Sequence, residues 1–323
     1  MALTAEGIID VPGMMSRWVR LSNGEKAHYM TSGESGPAVM LLHGGIPGSS
    51  GTAGWRFMAP YLASKGFTVY APDMPGYGLS DNRPQYWPKS LADHTDFVQR
   101  FVDAVCLDKF HLAGNSMGCG NTVNYVVAHP ERVLSFMLIA GPIGDIVPRD
   151  IELPRGPVSL DYRGTRESMQ AMMEAIIYRT EAISSDLLDM RQSAAERHAA
   201  GMKAFFPRMG MFTGRVPWDD KDIEARLSTK GRLDKITIPG IYLYGKDDVL
   251  SPVEIGYIQE EYIPNIQMFY PEECGHQGQT DQPEMFNKVA EEFFSTGKVS
   301  RKTADWAGVS TRRPELAHLV EQA

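Results

Sequence analysis

Cysteine is scarce in this chain of 323 residues, which contains only three. Cys106, Cys119 and Cys274 form an odd-numbered set without the close spacing of metal ligands. We therefore expect neither a disulfide framework nor a metal site, and a reducing, cytoplasmic location is the default expectation.

Long apolar runs are also missing. The longest, residues 38–42 and 133–140, are far shorter than the ~20 residues that a helix needs to span a bilayer. The first 15 residues carry Glu6 and Asp10 and have no basic start followed by an apolar run, so no secretory signal is expected.

Positively charged residues are outnumbered, since the chain has 32 Lys and Arg but 40 Asp and Glu, and its formal net charge is −8. Binding to nucleic acid requires clustered Lys and Arg, and the chain has no basic block. The hydrophobic fraction of 43% is typical of a soluble globular protein. These features predict a protein without a nucleic-acid or membrane partner.

Strand-like and helix-like segments alternate along the first half of the chain. Because strands that alternate with helices form parallel βαβ units, this order predicts an α/β fold with a doubly wound, mostly parallel, eight-stranded sheet. Across the whole chain, the predicted strands are residues 17–21, 26–31, 38–42, 67–71, 110–114, 133–140, 236–244 and 266–270. The predicted helices of the first half are residues 55–64, 91–105 and 117–129.

The alternation breaks near residue 148. Residues 149–230 contain helical patches, such as 167–178 and 185–198, but no convincing buried strand. A helical insertion inside a sheet domain often covers a ligand site. We therefore predict four units: a first core part at 1–148, a helical lid at 149–230, a second core part at 231–296, and a C-terminal extension at 297–323.

A nucleophile elbow is predicted at residues 114–118, Gly-Asn-Ser-Met-Gly. This G-x-S-x-G pattern follows an apolar strand and opens a helix, which is the context that the elbow requires. The flanking glycines allow a sharp turn that lifts the Ser116 hydroxyl above the sheet. A coincidental Gly-Ser turn is the alternative.

A serine hydroxyl needs a base, and the base needs an orienting carboxylate. In the elbow fold they follow the serine in the order acid, then histidine. Asp247 and Asp248 follow the strand at 236–244, and His276 follows the last predicted strand. The other seven histidines lie in strands, helices or, for His43, a glycine loop, where structural roles are favoured.

Residues 43–48, His-Gly-Gly-Ile-Pro-Gly, directly follow the third strand. An acyl-transfer site needs N–H donors directed at the developing oxyanion. In the elbow fold one donor belongs to the residue after the nucleophile, here Met117, and the other to this loop, here Gly45. A flexible glycine turn is the alternative.

These motifs resemble the α/β-hydrolase superfamily, and within it the meta-cleavage product hydrolases. Those enzymes hydrolyse a carbon–carbon bond in vinylogous 1,5-diketones that ring-opening dioxygenases produce. The resemblance covers residues 25–296 and also includes residues 73–81, Asp-Met-Pro-Gly-Tyr-Gly-Leu-Ser-Asp, and the G-x-x-D-x-x-x-P run that ends at Pro252. That run selects Asp248 as the acid.

The resemblance implies a substrate site for a small, carboxylated and partly apolar molecule. Asn115 would help hold its polar end, and Arg191, in the lid segment 187–191, would bind a carboxylate through two parallel hydrogen bonds. Gly44 and Gln277 are further expected substrate contacts. No cofactor and no metal are implied, and a homodimer is a compatible assembly. A solvated Arg191 on a lid helix is the alternative.

Some positions depart from the family pattern. The family usually has tryptophan directly after the histidine, where this chain has Gln277, and Phe57 stands where the family has asparagine. The chain also has a longer loop at 47–54 and a tail without a family counterpart. A carboxylesterase or lactonase with the same triad is therefore the main alternative to a carbon–carbon hydrolase. A proline-iminopeptidase-like aminopeptidase and a non-catalytic binding module are weaker alternatives.

Overall fold

An eight-stranded sheet forms the framework of the protein in a computed structural model that describes residues 3–148, 160–208, 219–263 and 265–321. The strand order is β1-β2-β4-β3-β5-β6-β7-β8. Strand β2 is antiparallel to β1 and β4, and all other pairs are parallel. The strands are β1 (Met15–Arg20), β2 (Lys26–Ser32), β3 (Ala38–Leu42), β4 (Thr68–Pro72), β5 (Phe110–Asn115), β6 (Val133–Ile139), β7 (Gly240–Leu243) and β8 (Ile266–Phe269). The predicted fold class is confirmed.

Both faces of the sheet are covered, which explains the continuous apolar runs of its central strands. In β3, Val39 and Leu41 point to one core cluster, and Met40 and Leu42 point to the other. Successive side chains of a strand point to opposite faces, so each layer of helices packs on its own half of each run. The helices are α1 (Gly51–Trp55), α2 (Met58–Ser64), α3 (Leu91–Ala104), α4 (Met117–Ala128), α5 (Arg166–Ile176), α6 (Ser185–Phe205), α7 (Lys221–Leu227), α8 (Val253–Tyr262), α9 (Gly278–Asp281), α10 (Pro283–Thr296) and α11 (Arg301–Trp306).

The single helix predicted at 55–64 is two short helices, and Pro60 gives the physical reason. Proline is tolerated in the first turn of a helix but breaks a hydrogen bond in the interior. A break at residues 56–57 places Pro60 in the first turn of α2. Helix α1 begins earlier than predicted because the Ser50 side chain caps it, accepting a hydrogen bond from Ala53 N at 3.1 Å.

Helices α5, α6 and α7 lie between β6 and β7, where the lid is predicted, and the described part of this region contains no strand. Residues 149–159 and 209–218 of the predicted lid lie outside the described residues. The methionines of α5 pack with Ile46 and Leu188 in a small core cluster that joins the lid to the loop after β3. These methionines are Met169, Met172 and Met173.

The C-terminal extension covers the exposed edge of β8. Val309 forms a β-bridge with Phe269, and Ser310 N donates to the carbonyl of Met268 at 2.9 Å. An unpaired edge strand invites pairing with another chain, and this segment occupies it. Across the ranges described above, no helix is long and apolar enough to cross a membrane.

Candidate active site

Ser116 stands at the sharp turn between β5 and α4. Its backbone has φ 56° and ψ −120°, a conformation that costs a non-glycine residue on the order of 1–3 kcal/mol. The neighbouring glycines permit the turn: a Cβ on Gly114 would lie 2.1 Å from the Gly118 carbonyl oxygen, and a Cβ on Gly118 would lie 2.2 Å from that of Leu42. Only glycine fits at both positions.

A third close contact between backbone segments lies beneath Ser116, where the segment after β6 passes it. A Cβ on Gly141 would lie 2.3 Å from the Ser116 carbonyl oxygen. Gly141 N donates to the hydroxyl of the buried Tyr242 at 2.9 Å, and this hydroxyl donates to the Gly141 carbonyl oxygen. The strained turn is therefore held from below by a segment that follows β6.

A chain of hydrogen bonds links three side chains that are far apart in sequence. Ser116 Oγ lies 2.7 Å from His276 Nε2, and His276 Nδ1 lies 2.7 Å from Asp248 Oδ2. His276 and Asp248 are buried, whereas Ser116 is half-buried. The geometry suits proton transfer from the serine hydroxyl to an imidazole oriented by a carboxylate.

The second oxygen of Asp248 is fixed by the backbone. Asp248 Oδ1 accepts hydrogen bonds from Leu250 N at 2.9 Å and Ser251 N at 2.7 Å. Its neighbour Asp247 is exposed and accepts a hydrogen bond from Cys274 N at 3.4 Å. The structure thus brings Asp248, and not Asp247, to His276.

The loop after β3 passes directly over Ser116. A Cβ on Gly44 would lie 3.2 Å from Ser116 Cβ, and the Gly45 carbonyl accepts a hydrogen bond from the Tyr77 hydroxyl at 2.9 Å. Met117 is the first residue of α4, where backbone N–H groups have no partner within the helix. The structure therefore places Gly45 and Met117 on two segments that border the serine.

His43 stabilises the loop after β3 through two hydrogen bonds. Its Nε2 accepts a hydrogen bond from Met74 N at 3.0 Å, and its Nδ1 donates to the Gly44 carbonyl at 2.7 Å. Burial lowers the pKa of His43, so the neutral ring suits both bonds. The structural role expected for His43 agrees with this geometry.

Asn115 holds the histidine loop through its amide nitrogen. Both hydrogens of Nδ2 have protein acceptors, the carbonyl oxygens of Ile139 at 3.1 Å and His276 at 3.0 Å. The amide NH₂ is therefore committed to the backbone, and only Oδ1 remains for a substrate. The expected contact of Asn115 with the polar end of a substrate would therefore use Oδ1, and this contact stays a prediction.

Asp281 is a buried carboxylate that joins the histidine loop to the lid. Its Oδ2 accepts from Gly275 N at 2.7 Å, and its Oδ1 accepts from Arg179 N at 3.0 Å. In the same region His276 N donates to the carbonyl of Ile176 at 2.8 Å. Burial raises the pKa of Asp281 to about 6. Asp281 was not predicted, because its partners are backbone groups that no motif marks.

Arg191 lies on α6 with only 1% of its surface exposed. Among the residues that the structure describes, no protein acceptor reaches its Nε or Nη2. Burial, and then the charge of Arg56, lower the pKa of Arg191 to about 9. A buried guanidinium with unpaired N–H groups is costly and favours an anionic partner. This burial argues against the alternative of a solvated Arg191.

The loop after β3 connects the Arg191 region to Ser116. A Cβ on Gly48 would lie 2.2 Å from the Arg191 carbonyl oxygen, just as one on Gly44 would contact Ser116. Four residues of chain span at most ~14 Å, so the two contact points on this loop, with the Arg191 backbone and with Ser116, lie close together.

Arg56 is a second buried guanidinium in this region that was not predicted. It donates to the carbonyl oxygens of Ala53 at 2.7 Å and Ala182 at 3.0 Å, which ties α1 to the lid. Sequence motifs do not identify Arg56, because a single arginine in a predicted helix normally lies on the solvent-exposed face. Gln277, the residue after His276, is buried as well.

A metal site finds no support in the parts of the chain described here, where no group of three or more His, Cys, Asp or Glu side chains could hold an ion. The arrangement instead offers a hydroxyl nucleophile, a base, backbone donors and a buried cation.

Comparisons with known proteins identify the family of this chain. A family model described as "alpha/beta hydrolase fold" matches residues 37–283. A 2-hydroxy-6-oxononadienedioate/2-hydroxy-6-oxononatrienedioate hydrolase of Dechloromonas aromatica is 27% identical over 87% of this chain and 95% of its own length. A 2-hydroxy-6-oxo-6-phenylhexa-2,4-dienoate hydrolase of Burkholderia cepacia is 27% identical over 84% of this chain and 92% of its own.

A solved structure of a meta-cleavage product hydrolase, CumD of Pseudomonas fluorescens IP01, is similar too. It is 25% identical, covers 87% of this chain and 98% of its own, and has a TM-score of 0.67. The matched residues include the elbow, the loops that carry Asp248 and His276, and all of residues 149–230, where the lid is predicted. This chain belongs to the α/β-hydrolase family, resembles its meta-cleavage product hydrolases, and is a hydrolase.

Proposed function

We propose that this hydrolase cleaves a carbon–carbon bond in a carboxylated meta-ring-fission product, a vinylogous 1,5-diketone of aromatic catabolism. The observation that carries the proposal is the buried Arg191 with two unpaired guanidinium nitrogens. The names of the relatives from Dechloromonas aromatica and Burkholderia cepacia support it, since both describe hydrolases of 2-hydroxy-6-oxo-dienoates. No metal or cofactor enters the proposed reaction.

Arg191 binds the 2-oxo-carboxylate end of the substrate in this proposal. The planar guanidinium forms two parallel hydrogen bonds with a carboxylate, which satisfies donors that are otherwise unpaired. Arg56 adds positive charge to the same region. When the bound dienol is converted to its keto form, this cationic region stabilises the negative charge that develops next to the carboxylate.

Ser116 then attacks the ketone carbonyl carbon, and His276 Nε2 accepts the hydroxyl proton. Asp248 keeps the imidazole oriented and stabilises its positive charge. The N–H groups of Gly45 and Met117 stabilise the oxyanion. Cleavage leaves the acyl group on Ser116, and the bonding electron pair leaves with the other fragment, which takes a proton to become a 2-hydroxydienoate.

Water completes the cycle. His276 removes a proton from a water molecule, which adds to the acyl carbon and releases a carboxylic acid and free Ser116. Asn115 acts through His276 in this scheme, because its amide holds the carbonyl of that residue. Gly44 and Gln277 border the space for the substrate.

A carboxylesterase or lactonase with the same triad is the second candidate. The observation in its favour is Gln277, which stands where the carbon–carbon hydrolases usually have tryptophan. The two reactions share the acyl-enzyme but differ in the need for a carboxylate site. Arg191 therefore discriminates between them.

The test compares Arg191→Ala with wild type on a 2-hydroxy-6-oxo-6-phenyl dienoate, its methyl ester, and a neutral aryl ester. Losing a buried charge-paired contact costs about 2–5 kcal/mol, so we expect kcat/KM for the free acid to fall by about 30-fold or more. The methyl ester and the aryl ester should change only a few-fold. Arg191→Lys should recover part of the loss, because it keeps the charge without the planar fork.

Arg197→Ala is the matched control, since Arg197 is an exposed arginine on the same helix. It should leave all three substrates unchanged. Equal losses on all three substrates in Arg191→Ala would assign a structural role to this arginine. Rapid ester turnover without any bleaching of the yellow dienoate would favour the esterase.

A further inference from the structure

A cavity of about 390 Å³ lies against the lid helix α6, beyond the residues assigned to the active site. The cavity is lined by α6 residues one to three turns after Arg191, by residues 46–48 and 76–77, and by Leu160, Tyr162 and Gly164. Ser116, Arg191 and Gln277 do not contribute to its lining. Its volume lies within the range of small-molecule sites in proteins.

The walls of this cavity are mostly apolar. Ile46, Ala195 and Met202 are buried there, and Phe206 stands at the cavity with 39% of its surface exposed, an unusual position for a large aromatic side chain. Among the described residues that line the cavity, Lys203 alone is charged. An apolar site with few polar groups selects a ligand that is itself mostly apolar.

His198 is a buried polar group of the cavity, with 2% of its surface exposed. Its Nε2 lies 3.1 Å from the Gly78 carbonyl oxygen, which can only accept, so Nε2 carries the hydrogen. Burial lowers the pKa of His198 and keeps the ring neutral. Nδ1 is therefore an unprotonated acceptor, and within the described residues no donor reaches it.

A buried acceptor without a donor costs free energy that a matching ligand can recover. The ligand must bring an O–H or N–H group, because an anion would oppose the lone pair of Nδ1. We propose that this cavity is a second binding site, for a neutral hydroxylated aromatic molecule of the phenol class, whose hydroxyl donates to His198 Nδ1. Its ring would contact the apolar walls next to Met202.

The site is coupled to the loop over Ser116. Tyr77 lines the cavity and donates to the Gly45 carbonyl at 2.9 Å, and Ile46 directly follows Gly45. A ligand in the cavity contacts both residues. The binding claim itself does not depend on which bond the enzyme hydrolyses.

Phenol is the probe for this site, and protein with isotope-labelled methionine methyl groups provides the readout. We expect the methyl signal of Met202, assigned with Met202→Leu, to shift saturably with phenol. Anisole has the same ring but no donor, and it should bind about 3- to 10-fold more weakly, the net value of one hydrogen bond. Equal affinities for phenol and anisole would overturn the proposal.

Two variants locate the binding. His198→Leu removes the Nδ1 acceptor and introduces no other, so it should reduce phenol affinity to that of anisole. Ala199→Phe places a bulky ring in the cavity from an exposed position of α6 and should abolish the Met202 shift without loss of folding. Undiminished phenol binding in either folded variant, or binding that an active-site ester displaces competitively, would contradict a separate site.

Discussion

At the scale of single residues, Asp247 and Asp248 are adjacent carboxylates with different surroundings. Asp248 is buried and accepts three hydrogen bonds, one of them from His276, whereas Asp247 is exposed. A carboxylate in the position of Asp248 holds the histidine in the tautomer that accepts a proton from serine. Asp247 can therefore serve as an internal control for substitutions of Asp248.

We predict that Asp248→Asn lowers kcat by about 10⁴-fold, because an amide at this position stabilises the wrong histidine tautomer. Asp247→Asn should stay within a few-fold of wild type. Steady-state kinetics with an aryl ester, a substrate suited to both candidate activities, compares kcat of the two variants with that of wild type. Similar losses in both would remove Asp248 from the proposed triad.

The site residues that could be predicted from sequence are those with a local signature. Ser116 lies in a five-residue pattern and His276 in a loop after the last strand, so local chemistry identifies them. Asp281 and Tyr77 contribute through contacts with the backbone of residues far away in sequence, and no local pattern encodes such contacts. Asn115 is the intermediate case: the elbow pattern singled it out, but its amide NH₂ binds backbone carbonyls.

At the scale of elements, the strands were predicted better than the short helices. Buried parallel strands produce continuous apolar runs that a sequence displays directly. Helices α8 and α9 were missed, because contacts with the rest of the fold stabilise such short segments more than their own propensity does. The C-terminal extension was predicted only as a separate unit at 297–323, and its pairing with β8 was not predicted.

Gly308 tests how the extension is attached to the sheet. It has φ +69°, and a Cβ there would lie 2.4 Å from the Tyr270 carbonyl oxygen. Gly297, with φ +74°, has open space around it. An alanine at positive φ costs about 1–2 kcal/mol, and Gly308→Ala should add the cost of the clash. Urea unfolding should rank Gly308→Ala below Gly297→Ala in stability, and the reverse order would contradict the docking of this segment.

Asp281 predicts a pH dependence of stability. Its pKa rises from 3.8 in the unfolded chain to about 6 in the folded protein, so the folded state binds the proton more tightly. The stability that this proton contributes is present below pH 3.8 and is lost as the pH rises to about 6.

The difference in unfolding free energy between wild type and Asp281→Asn isolates this group. Relative to the variant, wild type should lose stability as the pH rises from about 4 to 6 and then level off. Urea titrations across that range measure the difference, since all other carboxylates are common to both proteins. A pH-independent difference would show that the two states bind this proton equally.

At the scale of the whole molecule, the net charge of −8 opposes the approach of an anionic substrate. The proposed function therefore requires a local attraction, and we expect the buried Arg191, with Arg56 nearby, to provide it. The same contrast explains why composition argues against several classes of partner but cannot identify a substrate. A substrate is selected by a few buried side chains, and the net charge of the chain gives no information about them.

Product analysis after incubation of a 2-hydroxy-6-oxo-6-phenyl dienoate in isotopically labelled water tests the central claim most directly. The account predicts that wild type bleaches the yellow substrate and releases a 2-hydroxydienoate and a carboxylic acid that contains one oxygen from water. Ser116→Ala should yield neither product. Unchanged dienoate in a wild-type preparation that rapidly hydrolyses aryl esters would contradict carbon–carbon hydrolysis.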